Sequence, residues 1–240
     1  MPSAKEISAL YHEDLDHFTP YIEQLPVHHE YFRKKMEEIC QQGTLLDIGC
    51  AMGVLLEEAK KKGMKATGID LSKDAIKYCR KHGLTAFHGT LNSRPGLERG
   101  GFDVVTAFQV IEHERDPLKM MGRVYSLLKK GGMVVLATPN YGGFWRKLMG
   151  RRWFGFAHPE HVVLLDFNSM RLLLEKAGFR DIEIRADTPR PFPLSFAFTR
   201  AGDYFLWAAW LLKPIGKLLD RFNIINPINP WDDMIAFARK

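Results

Sequence analysis

The sequence has few cysteines and no long hydrophobic run. Its longest apolar run, residues 204–212, is shorter than the roughly 18 to 20 residues that a membrane-spanning helix requires. The first residues are acidic and contain no apolar run, so we expect no secretory signal. The three cysteines, Cys40, Cys50 and Cys79, fit neither a disulfide framework nor a paired-cysteine zinc site. These absences predict a cytoplasmic protein whose cysteines stay reduced.

The excess of basic over acidic side chains lies after the first fifth of the chain. Residues 1–50 carry nine acidic and four basic side chains, whereas the formal net charge of the whole chain is +6. Residues 141–160 combine four cationic and six aromatic side chains, with no acid before Glu160. This asymmetry favours an anionic partner. Because the basic residues cluster in one insertion and no RNA-binding module is recognisable, we expect that partner not to be nucleic acid.

Short apolar runs alternate with amphipathic stretches along the middle of the chain. The runs at 44–48, 65–70, 84–87, 102–107 and 133–138 predict strands, and segments 180–187 and 234–239 extend the pattern. Ser72 and Asp116 are typical helix N-caps between them. Strands with nearly all-apolar interiors indicate a parallel sheet covered on both faces. We predict an α/β, doubly wound, mostly parallel seven-stranded sheet with helices on both faces.

The sequence divides into three predicted parts. Residues 1–42 form an N-terminal helical segment, in which Phe32, Met36, Ile39 and Cys40 share one face that we expect to pack on the sheet rather than cover a cleft. Residues 43–189 form the α/β core, with the basic, aromatic insertion at 141–160. Residues 190–240 contribute an aromatic segment and the last strand.

The turn after the first strand predicts a nucleoside site. Asp47 ends the strand, Gly49 and Gly53 permit a tight loop, and a helix follows at once. Asp70 ends the second strand, where a carboxylate can accept hydrogen bonds from the hydroxyls of a ribose. Position 51 is alanine where the dinucleotide fingerprint has glycine, and the charge of Asp47 disfavours a pyrophosphate. The loop therefore favours a cation that carries one nucleoside, and an NAD-dependent oxidoreductase is the weaker interpretation.

Four segments occur in the order known from one enzyme family: DIGCAMG, GIDLS, FDVVTAFQVIEHERDP and LLKKGGMVVLATPN. Over residues 40–185 they resemble class I S-adenosylmethionine-dependent methyltransferases, in particular the ubiquinone-biosynthesis O-methyltransferase branch and similar methyltransferases of types 11, 12 and 23. Ala51 departs from the glycine of the family motif DxGxGxG. The resemblance implies a Rossmann-like methyltransferase fold, S-adenosylmethionine as cofactor, and methylation of an acceptor, with oxygen as the expected target atom.

The resemblance also implies which residues bind the cofactor. The loop should line the methionine part, mostly through its backbone, while Asp70 holds the ribose. The turn after the third strand lacks the acidic residue that relatives use for the adenine. The full expected set is Asp47, Gly49, Cys50, Ala51, Gly53, Asp70, Leu71, Ser72, Gly89, Thr90, Gln109 and Val110.

Glu112, His113 and His161 are the catalytic candidates. The Glu112–His113 pair follows the fourth strand, where the ubiquinone relatives resemble ExxEH, a stretch proposed to bind a divalent metal. Gln109 replaces the first glutamate here, and a hard cation prefers several charged oxygens. We therefore expect a metal-free base role for His113, with His161 as the second candidate. The alternatives are that the pair supports its loop and that His161 is a turn histidine bonded to backbone.

Two aromatic stretches leave the acceptor and the partner open. Arg146, Lys147, Arg151 and Arg152 could hold a phosphate or carboxylate of the acceptor, or rest on an anionic membrane. Residues 204–222 could form a lid, a dimer contact or a membrane-surface element. We expect a small-molecule or lipid-linked acceptor and a cytoplasmic protein, and a peripheral contact with the inner membrane is the alternative to a lid or dimer contact. A catalytically silent, cofactor-binding interaction domain is the alternative function, and the oligomeric state stays open.

Overall fold

The computed structural model describes residues 25–39, 42–91, 97, 99–156, 158, 160–187, 192–193, 198, 202, 209–219, 225–226 and 233–240. Residues 1–24 and Cys40 of the N-terminal segment therefore lie outside the described residues, as do residues 204–208 and 220–222 of the aromatic segment.

A seven-stranded sheet forms the centre of the described structure. Its strands are β1 Thr44–Ile48, β2 Lys65–Asp70, β3 Thr85–His88, β4 Phe102–Phe108, β5 Leu128–Pro139, β6 Arg180–Ala186 and β9 Asp233–Arg239, and a separate pair consists of β7 Phe192–Pro193 and β8 Ile225–Asn226. The seven strands follow the order β3-β2-β1-β4-β5-β9-β6, and β9 runs antiparallel to both of its neighbours, while the other pairs are parallel. This arrangement confirms the predicted fold class.

Helices follow most strands, and the sequence sets where they begin. Ser72 accepts a hydrogen bond from the backbone of Ala75, and Asp116 accepts one from Lys119, as predicted for N-caps. The helices are α1 Leu25–Glu38, α2 Val54–Lys61, α3 Lys73–Lys81, α4 Pro117–Leu127, α5 Phe144–Met149, α6 Phe167–Lys176 and α7 Ala209–Leu219.

The fifth strand begins earlier than the sequence predicts. The apolar run predicts residues 133–138, whereas β5 starts at Leu128, directly after α4. Leu128 pairs with Phe102 and Met133 pairs with Val104, so the register shifts between these two pairs. The intervening residues are lysines and glycines, which give no strand pattern, and this explains why periodicity misses them.

The helix α1 buries the apolar face that its sequence predicts. Phe32, Met36 and Ile39 are buried in the same cluster as residues of β1, β4, β5 and α2. The ring of Phe32 meets Phe108, the last residue of β4, edge to face at 5.3 Å. The helix therefore packs where β4 reaches the carboxyl edge of the sheet, and Cys40, predicted on the same face, lies outside the described residues.

A buried ion pair also fixes α1. Lys35 and the carboxylate of Asp187, which follows β6, are both almost completely buried, and Lys35 Nζ lies 2.5 Å from Asp187 Oδ1. The hydroxyl of Tyr31 donates to the other carboxylate oxygen. Such a pair is expensive to break from one side because the remaining charge stays buried without its counter-ion.

We predict that Lys35→Met lowers the free energy of unfolding by about 3–5 kcal/mol, because it leaves Asp187 charged and buried. Urea unfolding followed by circular dichroism measures the change. Lys34→Met is the matched control, since Lys34 is exposed on the same helix, and its unfolding midpoint should stay close to that of the unmodified protein. Equal midpoints for the two variants would contradict the structural role of the pair.

Candidate active site

The loop between β1 and α2 requires glycine at two positions. Gly49 and Gly53 have φ angles of +74° and +78°, in the left-handed region. A Cβ atom on Gly49 would lie 2.5 Å from Cγ2 of Val110, and one on Gly53 would lie 2.5 Å from Cδ1 of Leu84. The loop is therefore closely packed, and Val110, just beyond β4, lies against it.

Ala51 adopts a left-handed conformation where the family motif has glycine. Its φ angle is +43°, which is unfavourable for a residue with a Cβ atom. Its N–H donates to Asp70 Oδ2 at 2.8 Å, and its carbonyl accepts from the thiol of Cys79 at 3.3 Å. These contacts hold the alanine in the conformation that glycine adopts without strain.

Two N–H groups of the loop share one acceptor within the protein. Gly49 and Cys50 both donate to the carbonyl of Ile69, at 2.8 and 3.1 Å. These bonds tie the start of the loop to the neighbouring strand β2. The thiol of Cys50 is buried, and its hydrogen bond with Cys79, together with burial, raises its pKa. The thiol thus stays protonated and unreactive.

The carboxylate of Asp70 is oriented by two backbone groups. Oδ2 accepts from Ala51, and Oδ1 accepts from the N–H of Ser72 at 2.8 Å. Burial raises the pKa of Asp70. Each oxygen keeps a second lone pair, so the side chain can still accept two hydroxyl hydrogen bonds. The backbone of Asp70 also accepts from Gly89 at 2.8 Å, which brings the turn that carries Thr90 beside it.

Asp47 is a buried carboxylate beside Asp70. Thr106 of β4 donates to Asp47 Oδ1 at 2.7 Å, as their pairing in the parallel register allows. Burial raises the pKa of Asp47 to about 7; the charge of Asp70 adds to the rise, while the Thr106 hydrogen bond opposes it. A cation that approaches the loop would favour the ionised form.

The three catalytic candidates come together at the same edge of the sheet. Glu112, His113 and His161 each offer a ligand atom within 4.8 Å of the others. The side chain of Glu112 accepts from Thr138 of β5 at 2.9 Å. Its backbone carbonyl accepts from the N–H groups of Val162 and Val163 at 2.8 and 3.0 Å. These bonds join the segment that carries His161 to the turn after β4.

Both histidines are held in one tautomer. Nδ1 of His113 lies 3.1 Å from the carbonyl of Glu160, and Nδ1 of His161 lies 3.1 Å from the carbonyl of Gly155. A carbonyl only accepts, so each Nδ1 carries a proton and each neutral ring has its basic lone pair on Nε2. Burial lowers the pKa of both groups, that of His161 to about 4. At neutral pH the cluster therefore offers two uncharged bases.

The cluster has donors that could also hold a divalent metal, namely one carboxylate and two imidazoles. Gln109, which replaces the first glutamate of the relatives' stretch, has a positive φ of +57° and donates its amide to Asp233 at 3.1 Å. The relatives' set of two carboxylates and one histidine is thus not present. Whether the site works without a metal stays a prediction.

Aromatic residues form a wall next to the cluster. Trp153 is 1% exposed and meets Phe156 edge to face at 5.6 Å. Tyr141, just beyond β5, faces both rings, with centroid distances of 6.4 and 6.1 Å. Gly155, which lies between Trp153 and Phe156 in the chain, is the residue whose carbonyl binds His161. The cluster thus borders an aromatic layer.

Comparison with known proteins assigns the family. A family model described as a methyltransferase domain matches residues 21–184. The chain belongs to the methyltransferase domain family. The ubiquinone biosynthesis O-methyltransferase of Vibrio parahaemolyticus is 31% identical over 129 residues, which cover 51% of this chain and 54% of that relative. The chain therefore spans about half the length of the curated relatives it matches.

Solved structures agree with the methyltransferase fold. A SAM-dependent methyltransferase from Archaeoglobus fulgidus matches with a TM-score of 0.62 at 18% identity, over 92% of this chain and 100% of that one. The [4+2]-cyclase SpnF matches with a TM-score of 0.65 at 18% identity, over 100% and 97% of the two chains. These likenesses confirm the predicted fold.

The candidate site also contains residues that the sequence analysis does not predict. Thr106 donates a hydrogen bond to the carboxylate of Asp47, and Thr138 donates one to the carboxylate of Glu112. Asp233 accepts a hydrogen bond from the side-chain amide of Gln109. Each threonine follows a run of apolar residues near the carboxyl end of its strand, which is a signal that the sequence contains. Asp233 has no such signal, because its contact with Gln109 depends on where β9 enters the sheet.

We predict that S-adenosylmethionine binding at pH 7 releases up to about 0.5 proton, because half of Asp47 is protonated at its pKa and a cation favours the carboxylate. Calorimetry in two buffers of different ionisation enthalpy measures this release. Asp47→Asn should abolish it, whereas Asp181→Asn, an exposed change on β6, should leave it intact. Identical heats in both buffers for the unmodified protein would contradict the assignment.

Proposed function

We propose that this methyltransferase transfers the methyl group of S-adenosylmethionine to an oxygen of a small or lipid-linked acceptor. The observation that supports this most is the pair of neutral imidazoles at the sheet edge that also carries the glycine loop and Asp70. Positioning in a dry pocket supplies most of the acceleration of a methyl transfer. A hydroxyl acceptor also needs a base, and the cluster provides one.

The proposed roles follow from the tautomers. The acceptor oxygen attacks the methyl carbon while the carbon–sulfur bond breaks, and sulfur keeps the electron pair and becomes a neutral thioether. The hydroxyl proton moves to Nε2 of His113, whose Nδ1–H is held by the Glu160 carbonyl. His161 supports this base from 5.0 Å, measured between ring centroids, and Glu112 anchors the turn through Thr138 and the backbone of Val162.

We propose that the cofactor occupies the loop from Asp47 to Gly53, with its ribose on Asp70. The orientation of both Asp70 oxygens supports this assignment. Leu71, Ser72, Gly89 and Thr90 would then face the adenine side. The Ser72 hydroxyl already accepts from Ala75 as a helix cap, so we expect it to contribute through position rather than by a new bond.

Methyl transfer is tested with tritiated S-adenosylmethionine and a cell extract separated into lipid, small-molecule and protein pools. We predict that one non-protein pool is labelled and that His113→Asn lowers the initial rate by about 10²–10⁴-fold, because the hydroxyl loses its base. His161→Asn should give a smaller loss. No label in any pool, despite cofactor binding, would favour the silent interaction domain instead.

The matched control for the histidine variants is His82→Asn, an exposed change beyond α3 that should leave the rate unchanged. Dialysis against EDTA should also leave the rate unchanged if His113 acts without a metal. A rate that is lost on dialysis and restored by a divalent ion would contradict the metal-free role.

We further propose that α7 touches an anionic membrane. Trp210, Leu211 and Leu218 are exposed at 76%, 48% and 55%, and Lys213 and Lys217 are exposed on the same helix. Exposed apolar side chains next to lysines suit the headgroup region of an anionic bilayer. No described helix is long and apolar enough to cross a membrane. The contact we propose is therefore peripheral.

We predict that the double change Trp210→Ser and Leu211→Ser lowers co-sedimentation with phosphatidylglycerol liposomes at least threefold, because less apolar area enters the bilayer. The control is Leu172→Ser, which removes a leucine of similar exposure on α6. Unchanged sedimentation, or a loss that accompanies dissociation of an oligomer, would favour the lid or the dimer contact.

A further inference from the structure

We propose that Arg146 forms a subsite for an anionic group, a phosphate or a carboxylate, on the acceptor of this methyltransferase. The inference rests on the proposed function, because it assumes that the acceptor hydroxyl reaches His113. It adds the chemical class of the acceptor: a molecule with an anion at one end, an apolar or aromatic middle, and a hydroxyl at the other end.

Arg146 is held in a fixed orientation by its neighbour Tyr141. Its guanidinium carbon lies 4.1 Å from the centre of the Tyr141 ring, and Nη2 donates to the Tyr141 hydroxyl. The side chain is half-buried, whereas Lys147, Arg151 and Arg152 in the same insertion are exposed. A guanidinium fixed on an aromatic ring is suited to bidentate contact with a carboxylate or phosphate.

The position of Arg146 relative to the catalytic cluster follows from Tyr141. Tyr141 comes three residues after Thr138, which binds Glu112, and its N–H donates to the carbonyl of Leu165 at 2.8 Å. On the other side, Tyr141 faces the wall of Trp153 and Phe156, whose intervening Gly155 binds His161. Contacts thus connect Arg146 through these aromatic rings to the segment that holds His161, so an acceptor that reaches from Arg146 to His113 would lie along aromatic surface.

The electrostatics of the segment favour an anion. Residues 117–159 contain no aspartate or glutamate, so the four cations of the insertion have no acid near them in sequence. The acids that follow have contacts of their own. Glu160 pairs with His158 at 3.1 Å, and Asp166 accepts from the backbone and hydroxyl of Ser169 as the cap of α6. An anionic ligand group would therefore meet a positive potential at Arg146.

The test uses the tritium-labelled product formed from a cell extract by the full chain. The product should be retained on an anion exchanger at pH 7, and partition between chloroform and water then shows whether the anion is on a lipid or on a water-soluble molecule. Either location supports the subsite. A labelled product that passes through the exchanger at pH 7 would overturn it, while the absence of any labelled product would instead overturn the proposed function.

Three variants separate Arg146 from a general effect of charge. Arg146→Gln should lower the initial rate of methyl transfer at least tenfold when the concentration of extract is limiting, without changing the affinity for S-adenosylmethionine. Arg146→Lys keeps the positive charge but loses the planar guanidinium that can form two parallel hydrogen bonds, so it should restore only part of that rate. Lys147→Gln removes the same charge from the adjacent exposed position and should stay within twofold of the unmodified protein.

Inorganic phosphate gives a second measurement that does not depend on how well Arg146→Gln folds. Phosphate should inhibit the unmodified enzyme competitively with the extract, and Tyr141→Phe, which removes the hydroxyl that orients Arg146 and keeps the ring, should weaken that inhibition. Equal losses of rate in Arg146→Gln and Lys147→Gln, or phosphate inhibition that Tyr141→Phe leaves unchanged, would overturn the subsite.

Discussion

The carboxylate of Asp70 connects neighbouring segments at the carboxyl edge of the sheet. One oxygen holds the N–H of Ala51 in the loop after β1, and the other holds the N–H of Ser72 at the start of α3. Its own backbone carbonyl accepts from Gly89 beyond β3. Asp70 thus holds together three turns, one after each of the neighbouring strands β1, β2 and β3. The strained conformation of Ala51 persists because this contact opposes its relaxation.

Local patterns in the sequence were enough to predict much of this arrangement. The strand β1, the glycines after it and Asp70 follow from apolar runs and turn chemistry. Glu112 and His113 follow from the motif order, and His161 from its place between the basic insertion and the next helix. The structure brings these three together, although 48 residues separate His113 from His161. The family resemblance contributed what periodicity alone lacks, namely which sheet edge each motif occupies.

Other contacts could not be predicted because they depend on register across the sheet. Asp47 meets Thr106 only because β1 and β4 pair in parallel with these residues opposite each other. Gln109 meets Asp233 across 124 residues of sequence, and Lys35 meets Asp187 between α1 and the end of β6. A one-residue shift would remove such contacts without changing any local propensity. The early start of β5 has a different cause: its first residues are mainly lysines and glycines, which give no apolar pattern that would predict a strand.

The insertion of β9 between β5 and β6 has a consequence for how the protein folds during synthesis. The strand β6 pairs with β9 among the strands of the central sheet, so it cannot join the sheet until residues 233–239 leave the ribosome. Until then β5 has an open edge that offers unpaired backbone groups to other nascent chains. Closure of the sheet is therefore a late, long-range event, and delay at this stage exposes the chain to aggregation and to capture by chaperones.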